Sequence, residues 1–117
     1  MVVELEITLP NLTAKQKATV LGAVYRQSLV EVGHSADFHV YDLEQDLIER
    51  KRNLAAGKFL MIAKKYYESL EGIKKKIFLC EILERGRHYP YWYLPYADSK
   101  SFSRLSSSVY KAASKVF

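Results

Sequence analysis

The sequence predicts a small, predominantly helical α+β domain. Three observations lead to this fold class: an alternating apolar pattern near the N-terminus, apolar residues at helical spacing through the middle of the chain, and an amphipathic pattern at its end. An all-α bundle is the alternative. With 117 residues the chain is long enough for one core, so we expect a single domain over residues 1–117.

The first predicted element is a strand. From Val3 to Leu9 apolar residues occupy every second position, which is the period of a half-buried strand, and Pro10 ends the pattern. Residues 37–41 form a second, shorter candidate. They fit a strand and the start of the next helix equally well.

A helix follows the first strand. Thr13, with Gln16 three residues later, forms a capping-box pattern. Apolar residues then recur at helical spacing up to Gly33, a residue type common just after a helix C-terminus. The sequence therefore predicts a long first helix with both of its ends marked.

The middle of the chain predicts a helical bundle of two or three pieces. Asp42 is placed to cap the first piece, and Gly57 is a candidate interruption. The apolar pattern resumes over residues 59–70, breaks near Gly72 and resumes again over residues 73–83.

An aromatic run occupies residues 88–96. Pro90 and Pro95 exclude a helix there and leave an edge strand or an ordered loop. In a strand, Trp92 would face the core, and tyrosines on the opposite side could stack on bases or contact a protein partner. The candidate contact residues are Tyr89, Tyr91, Tyr93 and Tyr96.

The chain ends in a predicted amphipathic helix. At 100° per residue its basic side chains fall within about 60° of arc, and its apolar side chains fall between about 120° and 220°. Ser103, Ser107 and Ser114 border the basic stripe and could donate hydrogen bonds to phosphate. A solvated face opposite a core stripe would give the same pattern. The basic residues of this helix are Lys100, Arg104, Lys111 and Lys115.

Charge is distributed unevenly along the chain. Residues 85–117, the basic aromatic C-terminal segment, contain six basic residues and one acid, whereas the preceding residues contain twelve of each. The formal net charge of +5 therefore belongs to this segment. Eight of the fifteen aromatic residues lie in it as well.

Basic groups interleaved with aromatic rings are typical of a surface that binds a polyanion with stackable bases. The sequence thus predicts a non-enzymatic nucleic-acid-binding protein, for which a small subunit of a nucleoprotein complex is one possible form. The type of nucleic acid is left open. The predicted phosphate contacts are Arg85, Arg87, Lys100, Arg104, Lys111 and Lys115.

The alternative is a protein-interaction module, such as an adaptor, an inhibitor or an assembly subunit. The aromatic run would be its hot spot, and the basic helix would meet an acidic partner.

Catalytic and metal chemistry find little support in the sequence. Cys80 lies in an apolar stretch, where a thiol is more often a small core residue than a nucleophile. His34, Asp37 and His39 are close together but lack the Cys pair or third His of a recognised metal site. No phosphate-binding loop or hydrolase motif occurs in the sequence. We therefore expect no enzyme activity, no cofactor, no metal and no small-molecule substrate.

The expected location is the cytoplasm, without a membrane partner. Glu4 and Glu6 occupy positions where a signal peptide would carry basic and then apolar residues, and no uncharged apolar stretch approaches the roughly 18 residues of a membrane helix. The single cysteine, Cys80, cannot form an internal disulfide, which fits a reducing compartment.

Overall fold

The computed structural model describes residues 13–51 and 54–117, without the side chains of residues 47–49. Over these residues all regular structure is helical. The elements in chain order are α1 (Ala14–Glu31), a 3₁₀ turn (Val40–Asp42), α2 (Gln45–Arg50), α3 (Ala55–Ser69), α4 (Gly72–Ile77), a π-helical segment that continues α4 (Phe78–Leu83), and α5 (Ser99–Val116).

The α+β prediction is therefore wrong for the part of the chain that the structure describes, where the observed class is the all-helical alternative. The strand predicted from Val3 to Leu9 lies outside the described residues. Residues 37–41 do not form a strand, because Val40 begins the 3₁₀ turn and the amide of Leu43 donates to its carbonyl. This local bond takes the place of a strand ladder, while the Val40 side chain still enters the core.

Helix α1 has the two ends that the sequence predicts. The amide of Gln16 donates to the Thr13 hydroxyl (3.2 Å), and the amide of Thr13 donates to the Gln16 side-chain oxygen (2.8 Å), which completes the capping box. At the other end Gly33 adopts φ 95°, and the amide of His34 donates to the carbonyl of Leu29 (2.8 Å). These two features form a Schellman motif, so Gly33 follows the C-cap as predicted.

One apolar core joins α1 to the helices around it. Helix α1 packs against α3, α5 and the π-helical segment, and α4 packs against α5. Burial of these side chains is the main favourable contribution to folding. The large apolar residues that are fully enclosed are Tyr25, Leu29, Leu60, Ile77, Phe78, Ile82 and Leu83.

Helix α1 and the π-helical segment approach each other closely at Gly22. A Cβ atom at this position would lie 2.3 Å from the backbone carbonyl oxygen of Ile82. Since no side chain stands between the two backbones, only glycine allows this contact without a backbone shift.

Two predictions about the second helix are wrong. Asp42 lies inside the 3₁₀ turn and does not cap α2, because the following residue, Leu43, is extended and buried in the core, so that α2 begins only at Gln45. Gly57 does not interrupt a helix but lies within α3. A Cβ on Gly57 would lie 2.0 Å from the carbonyl oxygen of Lys51, so this glycine lets the preceding chain fold back onto α3.

The aromatic run forms an ordered loop and not an edge strand. The amides of Trp92, Leu94 and Tyr96 each donate to the carbonyl three residues back, at 2.8–3.2 Å. The backbone therefore closes its hydrogen bonds within the segment, as a series of turns does. We call residues 89–97 the aromatic loop.

The contact at Gly22 generates a stability prediction. We expect Gly22→Ala to lower the free energy of unfolding by about 1–3 kcal/mol, because the Ile82 carbonyl has to move, as in an overpacked core. Urea denaturation would measure the change. The control is Ala23→Ser at the exposed neighbouring position, which should stay within about 0.5 kcal/mol. A neutral or stabilising Gly22→Ala, as helix propensity alone would give, would contradict the close contact.

Candidate nucleic-acid interface

Helix α5 is anchored by its N-cap and by one buried face. The carboxylate of Asp98 accepts a hydrogen bond from the amide of Ser101 (2.8 Å), and this bond holds the pKa of Asp98 below its ordinary value. Ser106, Val109 and Ala113 are buried against the rest of the protein. Because the helical positions of these three residues lie opposite the basic stripe, burying them turns the stripe outward.

The outward side of α5 forms a shallow surface cavity, which we call the basic face. It measures about 780 Å³ and contains three cationic side chains, three serines and one alanine, with no acidic residue among its lining residues. The lining residues are Ser103, Arg104, Ser107, Ser108, Lys111, Ala112 and Lys115.

The second cavity lies between the first turn of α1 and the side of α5, and we call it the α1–α5 groove. It measures about 590 Å³. It adjoins the basic face, since Ser103, Ser107 and Lys111 line both cavities. The other lining residues are Thr13, Ala14, Lys15, Glu81, Arg85, Tyr93, Ser99, Phe102, Ser106 and Tyr110.

Two polar side chains of the groove have buried atoms that find no hydrogen-bond partner among the described residues. They are Nη1 of Arg85 and the hydroxyl of Ser106, a residue that is only 5% exposed. The one acid of the groove, Glu81, accepts a hydrogen bond from the Trp92 indole (2.9 Å). Burial raises the pKa of Tyr110 above its ordinary value, so its phenol stays protonated.

The structure brings together four of the six predicted phosphate contacts. Arg104, Lys111 and Lys115 line the basic face, and Arg85 lines the adjoining groove. Lys100 is exposed but lines neither cavity.

Arg87 is the predicted contact that the structure engages elsewhere. Its Nη2 donates to the backbone carbonyl of Asp37 (3.1 Å) and lies 3.7 Å from the carboxylate of the same residue. The Arg87 side chain therefore contacts the segment after α1. It lines neither the basic face nor the groove.

The predicted alternation of the aromatic loop is wrong. Tyr93, expected on the outer side, is only 7% exposed and stacks on Phe102 of α5, with ring centroids 3.7 Å apart and planes within 3°. Trp92 is half-buried at the edge of the core instead of lying within it, and Leu94 is exposed. The successive turns explain the difference, because side chains in turns do not follow the period of two of a strand.

The other three tyrosines of the loop remain accessible. Tyr89 is 70% exposed, Tyr91 is 54% exposed and Tyr96 is 55% exposed. The rings of Tyr89 and Tyr91 meet edge to face at 5.7 Å, whereas the Tyr96 hydroxyl accepts a hydrogen bond from Lys76 (2.6 Å). None of the three lines either cavity.

The histidines that the sequence marked as possible metal ligands have other contacts. His39 and His88 bind the two carboxylate oxygens of Glu84, at 2.5 and 2.8 Å, which satisfies a carboxylate that is almost fully buried. His34 stacks on Phe38 at 4.2 Å. Among the residues that the structure describes, no group of His, Cys, Asp or Glu side chains could hold a metal ion.

Cys80 is half-buried in the π-helical segment. Burial, with Glu84 and Glu81 adding to its effect, raises the pKa of the Cys80 thiol to about 11. Such a thiol is protonated at neutral pH, which is the opposite of what an activated nucleophile needs.

The comparisons with known proteins give no relative from which a function could be transferred. No protein-family model, no curated protein and no solved structure matches the chain. Among the described helices, none is long and apolar enough to cross a membrane.

Sequence reasoning missed two residues of the α1–α5 groove, Lys15 and Ser106. Lys15 lies in the first turn of α1, far along the chain from α5, so only the packing of the two helices places it there. Ser106 lies beside Leu105 and appeared as one of many serines, although its hydroxyl is buried and unpartnered. A polar residue on the buried side of a helical wheel is the one signal that could have identified it.

The raised pKa of Cys80 generates a pH prediction. At pH 8 a thiol with a pKa of about 11 is ionised about 100-fold less than one at the ordinary value of 9.0. We expect iodoacetamide to alkylate the folded protein about 100-fold more slowly than the same protein in guanidinium chloride, with the folded rate rising about tenfold per pH unit as the thiolate forms. Equal rates in the two states at pH 8 would contradict the assignment.

Proposed function

We propose that the protein binds nucleic acid without catalysing a reaction and that the basic face of α5 contacts the phosphate backbone. A small subunit of a nucleoprotein complex is one form that such a protein takes. The observation that carries the proposal is the composition of that cavity, whose described lining residues combine three cations with three serine hydroxyls and include no acid.

The chemistry of the basic face fits a phosphate backbone. Each Lys or Arg that neutralises a phosphate releases condensed counterions, which is the main source of sequence-independent affinity. Serine hydroxyls are short donors that commonly bond phosphate oxygens, and they let a helix approach closely. Because phosphate contacts carry no sequence information, they imply no base specificity.

The length of the basic face fits several phosphates at once. Arg104 and Lys115 are eleven residues apart, which corresponds to about 17 Å along the helix axis. Successive phosphates of one duplex strand are about 3.4 Å apart along the axis. With four or five contacts in all, including Arg85 and Lys100, we expect a log-log salt slope of roughly −3 to −4.5.

A cytoplasmic location belongs to the same proposal. Its support is the lone thiol, Cys80, which has no cysteine partner in the sequence and fits a reducing compartment.

A second candidate function has its own observation, the exposure of the aromatic loop. Tyr89, Tyr91 and Leu94 are each more than half exposed, and large apolar groups of this kind are typical of protein-interaction hot spots. The protein would then act as an adaptor, an inhibitor or an assembly subunit. The two functions are compatible, because the loop and the basic face are lined by different residues.

The basic face is tested by combining Arg104→Gln, Lys111→Gln and Lys115→Gln. We expect binding of labelled oligonucleotides to weaken at least tenfold at about 50 mM salt and the salt slope to fall by about 2–3, because three phosphate contacts are removed. Fluorescence anisotropy at about 50 and 200 mM salt, with single- and double-stranded DNA and RNA, measures both quantities.

The matched control is a variant with Lys58→Gln, Lys65→Gln and Lys74→Gln. It removes the same charge from exposed sites on α3 and α4 and should keep most of the affinity. If both variants lose the same affinity, net charge and not the basic face is responsible for binding. If wild-type protein binds no oligonucleotide at about 50 mM salt, the proposed function is wrong.

The separate role of the aromatic loop is tested by combining Tyr89→Ala and Tyr91→Ala. Because neither tyrosine lines the basic face or the groove, we expect oligonucleotide affinity to stay within about twofold of wild type. Stacking of a base on each ring would instead cost about 1–3 kcal/mol per base, or roughly tenfold or more. The same anisotropy titration distinguishes these results, and a tenfold loss would assign the loop to the nucleic-acid surface.

A further inference from the structure

Two side chains that line the α1–α5 groove carry hydrogen-bond donors that no described residue accepts from. Nη1 of Arg85 and the hydroxyl of Ser106 are buried, and within residues 13–51 and 54–117 neither has a hydrogen-bond partner. A buried polar group without a partner costs about 1–3 kcal/mol. Both groups line the same cavity, so one ligand there could satisfy both of them.

The charge of the groove specifies an anion. Among the described residues that line it, Lys15, Arg85 and Lys111 are cationic and Glu81 is the one acid. These described residues therefore give the groove an excess of two positive charges, and the Glu81 carboxylate accepts a hydrogen bond from the Trp92 indole. Several hydroxyls, including those of Ser103 and Ser107, add donors close to these cations.

The two helix termini at the groove reinforce this preference. The first turn of α1 contributes Thr13, Ala14 and Lys15, and the first residue of α5, Ser99, also lines the groove. Helix N-termini carry partial positive charge, which favours a bound anion. On its own this would not define a site, but here it acts together with the unpartnered groups.

We propose that the α1–α5 groove binds a phosphate group, with Arg85 and Ser106 donating hydrogen bonds to its oxygens. A guanidinium suits phosphate because its planar array of N–H groups can bond two oxygens at once. The cavity, at about 590 Å³, is within the size range of small-ligand sites, so it also has room for the sugar or base attached to the phosphate.

Two sources can supply this phosphate. It can belong to a nucleic-acid strand that lies on the basic face, because Ser103, Ser107 and Lys111 join the two cavities. In that form the inference rests on the proposed function and adds a further contact to it. It can also belong to a free nucleotide, in which case the groove acts independently of the basic face.

The experiment compares Arg85→Met with Arg26→Met. Arg26 also has a buried Nη1 without a partner but lines neither cavity, so the second variant removes the same kind of side chain outside the groove. The probes are a single-stranded oligonucleotide, followed by anisotropy, and adenosine monophosphate, followed by calorimetry. We expect Arg85→Met to weaken binding of one of these probes about tenfold or more and Arg26→Met to leave it within about twofold.

A second pair of variants keeps the test decisive if Arg85→Met is poorly folded. Ser106→Ala removes an unpartnered buried hydroxyl, so we expect an unchanged or higher thermal midpoint together with binding weakened several-fold. Ser28→Ala removes a buried, unpartnered hydroxyl outside the two cavities and should leave binding unchanged. A purely structural role for Ser106 would alter the midpoint without altering binding.

The outcomes separate this inference from the proposed function. Weaker oligonucleotide binding in Arg85→Met supports a strand phosphate, and loss of nucleotide binding supports a free nucleotide even if no oligonucleotide binds. If neither Arg85→Met nor Ser106→Ala alters the binding of either probe, the groove is not a phosphate site. The proposed function would still stand in that case if the Arg104, Lys111 and Lys115 variant loses oligonucleotide binding.

Discussion

The docking of α5 onto α1 is the contact on which the rest of the candidate interface depends. Val109 and Ala113 are buried in the shared core, and their burial fixes the rotation of α5 about its own axis. Once that rotation is fixed, side chains about half a turn away must face solvent. The outward position of Arg104 and Lys111 is thus a geometric consequence of apolar burial and requires no ion pair to hold it.

The aromatic loop sets where α5 begins. Tyr93 turns back from the loop and stacks on Phe102, while the Asp98 carboxylate caps the first turn of the helix. The loop is therefore divided by function: Tyr93 belongs to the framework, whereas Tyr89 and Tyr91 remain on the surface. This division explains how one short aromatic segment can stabilise the fold and still present rings to a partner.

Buried polar groups are hydrogen-bonded at Glu84 but not at two residues of the α1–α5 groove. Glu84 has both oxygens bonded to histidines, so its burial is compensated within the protein. Arg85, the next residue, has a buried nitrogen with no hydrogen-bond partner among the described residues, and the buried hydroxyl of Ser106 across the groove also has none. The bonding of these two neighbouring residues differs because His39, in the segment after α1, contacts Glu84, whereas Arg85 lines the groove.

Local features of this protein follow from the sequence alone: the capping box at Thr13, the C-terminal glycine Gly33, and the basic stripe of α5. These depend on hydrogen bonds and periodicity within a few residues, which a sequence displays directly. Tertiary structure decided the contacts between distant segments. The aromatic run forms a loop, Arg87 bonds to Asp37, and Lys15 lies beside α5. Such contacts depend on how helices pack, and no periodicity along the chain encodes which distant residue meets which.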